Sequence, residues 1–259
     1  MRALGAVLIP PTAATRIALW VGSVIVLLSA VFLLSRYPSL PWLLPVRFSR
    51  DGIPTGWQYK TLARVLMPVF VQLALALIFG AVAFLLLSRK QGVYQADAPD
   101  VRAAGTAAES VVLIALIWVA FQAYAAVALV TMWTVERDGL PFTYIYLELA
   151  GLTLTGIVAV RAHARLGRPG PRPFIAEHWR FGQLYKNADD PALFVPARDG
   201  SRWTLNFGRP VAAVLLGLGG WGCRADHDPC HRVPKLNLVS LCKSLSMNVL
   251  LKHIRVWNI

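Results

Sequence analysis

Four long apolar runs set the organisation of this chain. They cover residues 17–35, 65–87, 110–133 and 142–160, and the only charged residue within them is Glu148. A helix of about 20 apolar residues crosses the roughly 30 Å hydrocarbon core of a bilayer. The pattern therefore predicts an all-α integral membrane protein with four transmembrane helices. The first run ends in Arg36-Tyr37-Pro38 rather than in a small-residue cleavage site, which favours a retained helix over a signal peptide.

The segments around these runs predict the domain organisation. Residues 1–88 form a first membrane hairpin with an outward loop at 36–63, and residues 89–160 form a second. Residues 161–210, which we call the polar module, are expected to be small, mostly irregular and cytosolic. Residues 211–259 hold a shorter apolar run, 211–222, and a tail. At 1.5 Å per residue this run reaches only about 18 Å, so it is a candidate fifth helix that is short for a span.

Turn and cap chemistry predicts where these elements begin and end. In the outward loop, Asp51-Gly52 and Pro54-Thr55-Gly56 are typical of turns, since glycine supplies positive φ and proline presets φ. The loop is expected to form a hairpin lying on the bilayer, with its aromatic residues as anchors or as a ligand surface. The connector up to Glu109 is predicted to be flexible, and the capping-box pattern of Thr106 and Glu109 is expected to open the third helix.

Composition and charge indicate lipid as the surroundings of the apolar runs. The chain is 56% hydrophobic and 15% charged, whereas about a quarter of the residues of a soluble domain are charged. The formal net charge is +13, and the basic residues cluster at the ends of the apolar runs, where they meet anionic headgroups. We therefore predict the lipid bilayer as a partner and no nucleic acid. Ten Lys and Arg at the inner ends against five or six at the outer ends predict a cytoplasmic N-terminus.

The end of the chain differs from the rest in composition. From Cys223 onward alanine nearly disappears, lysine becomes as frequent as arginine, and all three cysteines appear. We hypothesise that a normal fifth helix was interrupted near Gly222 by a change of frame or a fused end. Cysteine and histidine residues near Cys230 have zinc-binding side chains but lack the paired spacing of a zinc finger, so we predict no metal site.

The motifs of common enzyme classes do not occur in the sequence. It contains no HExxH, no GxSxG, no Walker loop and no GxGxxG, and we therefore predict no enzyme activity and no cofactor. The neighbouring carboxylates Asp189 and Asp190 are not expected to converge on a substrate. They are expected to belong to an Asx-type turn.

Two polar residues inside the predicted spans are candidates for function. Glu148 lies near the start of the fourth span, and Gln122 lies in the third. An ionisable side chain inside a bilayer costs a few kcal/mol unless it is paired or hydrated. Two interpretations stay open. Either Glu148 joins Gln122 on a polar path through the bundle, or it reaches the outer headgroups and Arg137.

The polar module contains more aromatic residues than a linker would. We expect a small cluster formed by Trp179, Tyr185, Phe194 and Trp203. We also expect Asn187 and Asp190 to hold the intervening turn through hydrogen bonds from the backbone to their side chains.

The outward loop from Pro45 to Lys60 carries a family pattern. Five of its residues fit that pattern: Phe48, Gly52, Pro54, Trp57 and Lys60. With them the loop resembles the first extracytoplasmic loop of SdpI-like membrane proteins, relatives of the immunity protein against the sporulation-delaying toxin. Arg47 stands where that family usually has histidine. The resemblance implies a bacterial inner-membrane protein whose outer loop contacts a toxin, peptide or envelope ligand through these residues and Arg47.

The polar module carries three linked patterns, Tyr-x-Asn-x-x-Asp-Pro, Phe-Val-Pro-x-Arg and Gly-x-x-Trp-Thr-x-Asn. They resemble a small uncharacterised module that is often appended to SdpI-like proteins. The resemblance implies a contact with a cytosolic protein partner, or a structural role, for Trp179, Tyr185, Asn187, Asp190, Pro191, Arg198, Trp203 and Asn206. The alternative function is a small transporter or channel-like protein that uses Glu148 and Gln122.

Overall fold

Four long helices dominate the structure. The computed structural model describes residues 6–49, 53–90, 99–135, 141–167, 169, 174–181, 184–190, 192–198, 200 and 202–214. The helices are α1 (Ala13–Arg36), the short α2 (Leu62–Val65), α3 (Met67–Leu87), α4 (Pro99–Val135) and α5 (Thr143–Leu166). By length and composition, α1, α3, α4 and α5 can each cross a membrane. The prediction of four such helices is confirmed, as expected for a multi-pass membrane protein.

The outer faces of these helices are apolar. α4 is the most buried of the four, and α1 and α5 are the least buried. On α1, Trp20 is 73% exposed and Leu27 is 63% exposed, and on α5, Val160 is 66% exposed. Such rows of uncovered apolar side chains are unfavourable in water, at about 25 cal/mol per Å². Lipid chains would cover them.

The third helix begins earlier than the sequence predicts. α4 starts at Pro99, with Asp100 in its first turn, whereas the connector up to Glu109 was expected to be flexible. Proline is favoured in the first helical turn because its missing N–H would have no partner there, and an acidic residue complements the helix dipole. The predicted capping box at Thr106 and Glu109 is therefore wrong, since both residues lie inside the helix.

Short antiparallel strands pair outside the helices. β1 (Ala6–Leu8) pairs with β4 (Ser88–Lys90), and β2 (Leu43–Phe48) pairs with β3 (Pro54–Tyr59). In the polar module, β5 (Trp179–Arg180) pairs with β6 (Leu184–Tyr185), and β7 (Phe194–Pro196) pairs with β8 (Trp203–Leu205). The β2–β3 pair confirms the predicted hairpin within residues 36–63. The predicted turn at Pro54-Thr55-Gly56 is wrong, because these residues begin β3.

The described residues divide into two compact units. The first unit lies within Met1–Thr15, Ala81–Val111 and Ile157–Ser246, and the second lies within Arg16–Gly80, Val112–Gly156 and Met247–Ile259. Of the candidate fifth run, residues 211–214 are described, and they are helical. The rest of that run and the three cysteines lie outside the described residues.

In the first unit, a carboxylate within α4 joins the start of α1 and the end of α5. Glu109 on α4 accepts hydrogen bonds from the Thr12 hydroxyl at 2.8 Å and from the Arg165 guanidinium on α5 at 2.7 Å. The Thr12 hydroxyl also accepts from the backbone N–H of Thr15 at 3.1 Å. This bond places Thr12 as the N-cap of α1. The glutamate that suggested a helix start thus acts as a tie between helices.

Candidate functional site

The β2–β3 hairpin of the second unit is anchored to the helices by one of its faces. Leu44 is fully buried, in a core that includes Leu33 of α1, Val69 of α3 and Trp133 of α4. The indole N–H of Trp133 donates to the backbone oxygen of Pro45 at 3.2 Å. A two-stranded hairpin is only marginally stable alone, and this packing holds it in place.

The hairpin also carries large side chains that the structure leaves uncovered. Trp42 is 77% exposed, Trp57 is 57% exposed and Tyr59 is 71% exposed. A shallow groove of about 340 Å³ lies among Leu43, Trp57, Gln58, Tyr59 and Arg64. Tyr59 lies opposite Leu43 in the strand register. The groove thus combines aromatic rings, an amide and a guanidinium, which suits a ligand with apolar and anionic parts.

Arg64 is held at the edge of this groove. Its guanidinium donates to the backbone oxygen of Tyr59, and its backbone N–H donates to the Thr61 side chain, which caps α2. Arg64 was not predicted as a site residue, because the family pattern ends at Lys60. A cation directly after an aromatic strand is the signal that could have identified it.

The other predicted ligand residues fall into different surroundings. Arg47 is exposed on β2, opposite Gly56. A Cβ at Gly56 would lie 2.9 Å from the Cδ of Arg47, so this pairing requires glycine or a shift of the arginine. Pro54 begins β3 and Phe48 ends β2. Gly52 lies outside the described residues.

Lys60 is engaged in the fold. Its Nζ donates to the backbone oxygens of Tyr37 at 3.2 Å and Leu40 at 2.8 Å. It also lies 4.9 Å from the ring centroid of Tyr37 and 5.5 Å from that of Trp42. The last carbonyls of a helix have no partner within the helix, and a basic side chain can satisfy them. Lys60 therefore fastens the end of β3 to the turn that follows α1.

Inside the helical bundle, the two predicted polar residues do not form a pair. Gln122 is buried on α4 and Glu148 is half-buried on α5, and within the described part of the chain no hydrogen bond joins them. Arg137, the other candidate partner, lies outside the described residues.

The main buried polar contact of the bundle was not selected as a site from the sequence. Gln72 on α3 is fully buried. Its amide nitrogen donates to the Ser29 hydroxyl of α1 at 3.1 Å and to the Val119 backbone oxygen of α4 at 3.0 Å. Its Oε1 is buried without a hydrogen-bond partner among the described residues. Gln72 is the only strongly polar side chain in a long apolar run, which is the signal that could have identified it.

In the polar module, one buried amide organises the chain. Asn206 is fully buried. Its Oδ1 accepts from the backbone N–H groups of Asn187 at 3.1 Å and Gly208 at 2.9 Å. Its Nδ2 lies within 3.2 Å of the backbone oxygens of Asn187, Asp190 and Ala192. A side-chain amide has two N–H donors, so the three carbonyls share them.

The predicted Asx-type turn is confirmed. The backbone N–H of Asp189 donates to the Asn187 side chain at 3.0 Å, and that of Ala192 donates to Asp190 Oδ1 at 2.9 Å. The Tyr185 hydroxyl donates to the other oxygen of Asp190 at 2.9 Å. Asp190 is thus a structural acceptor within the module. Pro191 lies outside the described residues.

The predicted aromatic cluster forms in part. Tyr185, Ala192 and Val195 make a small core, against which Trp179 packs with its ring centroid 5.4 Å from that of Tyr185. Phe194 is buried, but it is Val195, and not Phe194 as predicted, that belongs to this core. The Trp203 indole N–H donates to the backbone oxygen of Leu166 at 3.2 Å. α5 ends at Leu166, so it extends into the predicted module, whose start at residue 161 is corrected to 167. Trp203 therefore connects the module to the last residue of α5.

Arg198 lies beside a second aromatic pair. Its guanidinium carbon is 4.5 Å from the ring centroid of Phe174. The Phe174 ring lies 6.3 Å from that of Trp179.

Comparisons of the chain with protein-family models, with curated proteins and with solved structures gave no match. The resemblance to SdpI-like proteins therefore stays a prediction.

Proposed function

We propose that this chain is a membrane receptor of the immunity or envelope-sensing type, in which the β2–β3 hairpin binds an amphipathic peptide with acidic groups. The observation that carries the proposal is the uncovered groove between Trp57, Tyr59 and Arg64 on an anchored hairpin. Aromatic and arginine side chains dominate the energetics of protein–protein interfaces. A hairpin fixed by Trp133 and Lys60 would lose little conformational freedom on binding.

Charge favours an acidic ligand. Residues 36–64 contain five basic residues and one acidic residue, a formal net charge of +4. Arg47 is exposed and Arg64 lines the groove. Arginine binds carboxylates in a bidentate geometry, and the aromatic rings offer apolar contact beside it. A peptide with alternating apolar and acidic side chains fits both features.

The test begins with cells. A strain that lacks the gene is challenged with a panel of envelope-active peptides, and the wild-type chain and its variants are returned to it. We expect Trp57→Ala to abolish protection, because removing a central aromatic anchor costs about 2 kcal/mol or more, roughly thirtyfold in affinity. Trp42→Ala removes an exposed ring that does not line the groove, and it is expected to keep most of the protection.

The pattern of variants separates the alternatives. If the aromatic residues only anchor the hairpin in the bilayer, Trp42→Ala and Trp57→Ala should act alike and Arg64→Gln should be neutral. A transporter that uses Glu148 would show the opposite pattern, with Glu148→Gln severe and Trp57→Ala mild. Either result would contradict the proposal. The predicted protein partner of the polar module stays a prediction.

The proposed orientation places the hairpin outside and the polar module in the cytosol. It is tested with single cysteines in a chain whose three native cysteines are changed to serine. Thr55→Cys and Lys186→Cys suit the test because both residues are exposed. The nearby glycines suit it less, since a side chain at Gly56 would meet Arg47 and Gly200 has a φ of 64°. We expect an impermeant thiol reagent to label position 55 and not position 186 in intact cells. Equal labelling would contradict the orientation.

A further inference from the structure

The polar module leaves an apolar and basic patch uncovered. Phe174 and Ile175 are each 49% exposed, and Phe181 is 94% exposed. Arg180, beside Phe181, and Arg198, over the Phe174 ring, are exposed as well. We call these five residues the module patch. Backbone lengths place Phe181 within roughly 7 Å of Trp179, whose ring neighbours that of Phe174.

The backbone at Phe181 is unusual. Its φ is 51°, in the left-handed region, and it is the one described residue other than glycine with a positive φ. Bulky side chains rarely adopt this conformation, because Cβ then crowds the following carbonyl. The turn between β5 and β6 thus holds a strained aromatic residue whose ring makes little use of the protein interior. Strained, exposed residues of this kind point to a function outside the fold itself.

The surroundings of Arg198 favour binding of an oxyanion by its guanidinium. A guanidinium stacked on an aromatic ring keeps its N–H groups in its own plane, where they can donate to two oxygens of a phosphate. Phe174 provides that stacking surface. The arginine also starts with reduced rotamer freedom, so less is lost when a phosphate binds.

The position of the module favours a membrane as the occupant of the patch. The bond from Trp203 to Leu166 ties the module to the end of α5, a helix that can cross a membrane. Beyond the end of α5, residues 167–210 contain seven basic and four acidic residues, a formal net charge of +3. Within the described segment 174–181, which carries four of the five patch residues, Glu177 is the one acidic residue. Exposed aromatic residues together with arginines are typical of the bilayer interface.

We propose that the module patch docks the polar module onto the surface of an anionic bilayer. Phe174, Ile175 and Phe181 enter the headgroup region, and Arg180 and Arg198 bind lipid phosphates. Docking covers the exposed aromatic rings and offsets the strain at Phe181. This inference does not depend on the ligand of the hairpin, and its test uses no such ligand.

The experiment uses the full chain in lipid nanodiscs. The three native cysteines are changed to serine, and an environment-sensitive fluorophore is attached to Glu177→Cys, an exposed position between Ile175 and Phe181. The nanodiscs contain phosphatidylcholine alone or with phosphatidylglycerol, together with a headgroup-labelled quenching lipid. We expect strong quenching with phosphatidylglycerol and weaker quenching without it.

Variants identify the groups that carry the docking. Arg198→Gln should raise the undocked fraction about fivefold, since each basic residue near an anionic surface contributes about that factor. Arg198→Lys keeps the charge and should lose less. Phe181→Ser should weaken quenching in both lipids. Lys186→Gln removes an exposed cation of the module outside the patch, and it should change the signal less than Arg198→Gln.

Two results would overturn the proposal. A fluorophore that stays in water in both lipids would leave a protein as the occupant of the patch. Equal effects of Lys186→Gln and Arg198→Gln would show a diffuse attraction between charges, without a defined patch. Thermal unfolding of each variant, matched to that of the parent chain, excludes loss of fold as the cause.

Discussion

Two fully buried amides, Gln72 in the helical bundle and Asn206 in the polar module, solve different problems. Gln72 makes two hydrogen bonds and leaves Oε1 without a partner among the described residues. Asn206 contacts two backbone N–H groups and three backbone carbonyls. Both side chains are of similar chemistry and burial, but the backbone around them differs.

Backbone hydrogen bonding explains the difference. In a helix each carbonyl is already paired with the N–H four residues later, so a buried amide satisfies only itself. In the module, the described strands are two or three residues long, so backbone groups outside them need partners other than a strand ladder. The side chain of Asn206 pairs with backbone N–H and C=O groups that a neighbouring strand would otherwise pair with. The importance of a buried polar side chain should therefore follow the number of backbone groups that depend on it.

The largest effect is expected at Asn206. Asn206→Ala leaves two N–H groups and three carbonyls without this partner, and each buried unpaired group costs about 1–3 kcal/mol. Even if water reaches some of these groups, the free energy of unfolding of the module should fall by about 3 kcal/mol or more. The module then opens at least about a hundredfold more often. Trypsin applied to inverted vesicles should then cut rapidly at Arg180, Lys186, Arg198 and Arg202.

Asp189→Ala is the matched control for Asn206→Ala. Asp189 is exposed in the same turn, and its substitution should change stability by at most about 0.5 kcal/mol. If trypsin cuts the wild-type module as fast as the Asn206→Ala variant, the module is not held closed by this amide.

The four long helices were predictable from the sequence because their signal is local. Twenty apolar residues require lipid or a core whatever the rest of the chain does. The start of α4 was predicted wrongly, because the Thr106 to Glu109 pattern suggested a cap after a flexible connector. The tertiary partners of Glu109 are Thr12 and Arg165, which lie 97 and 56 residues away. No local pattern reveals such contacts.

The candidate sites show the same limit. The family pattern selected Lys60 and Asn206 but not their roles, since these depend on carbonyls that only the fold brings together. Lys60 was predicted to contact a ligand, and the structure places it against Tyr37 and Leu40. Exposed Trp57 was predictable as a surface residue, because aromatics between turn signals in a basic loop suit an interface. The groove beside it required the position of Arg64.

An intermediate effect is expected at Lys60, which serves two carbonyls near the end of α1. Lys60→Met keeps the apolar stem and removes both hydrogen bonds and the charge. A hydrogen bond to a charged group contributes about 1.5–3 kcal/mol when buried and less at a half-exposed site. We therefore expect a loss of about 1–2 kcal/mol, seen as a fall of roughly 2–8 °C in the Tm of the detergent-solubilised protein.

Thr55→Ser is the control for Lys60→Met, since Thr55 is exposed on β3, the strand directly before Lys60, and the Tm of this variant should stay unchanged. A Lys60→Met variant with the wild-type Tm but without ligand binding would return Lys60 to the ligand surface. That result would weaken the link between backbone partners and stability.

The smallest effect is expected for Gln72→Leu. This change removes two hydrogen bonds, but the Val119 carbonyl keeps its helical partner and the Ser29 hydroxyl keeps its bond to the Ile25 carbonyl. The change also removes the buried, unpartnered Oε1. Hydrogen bonds between membrane helices contribute about 0.6 kcal/mol on average, so stability should change by less than about 1 kcal/mol.

Gln72→Ala, in contrast, leaves a cavity in a fully buried site and should cost about 2 kcal/mol or more. Unfolding of both variants in mixed micelles decides the matter. If Gln72→Leu proves as harmful as Gln72→Ala, the amide itself stabilises the bundle, and the contrast with Asn206 fails.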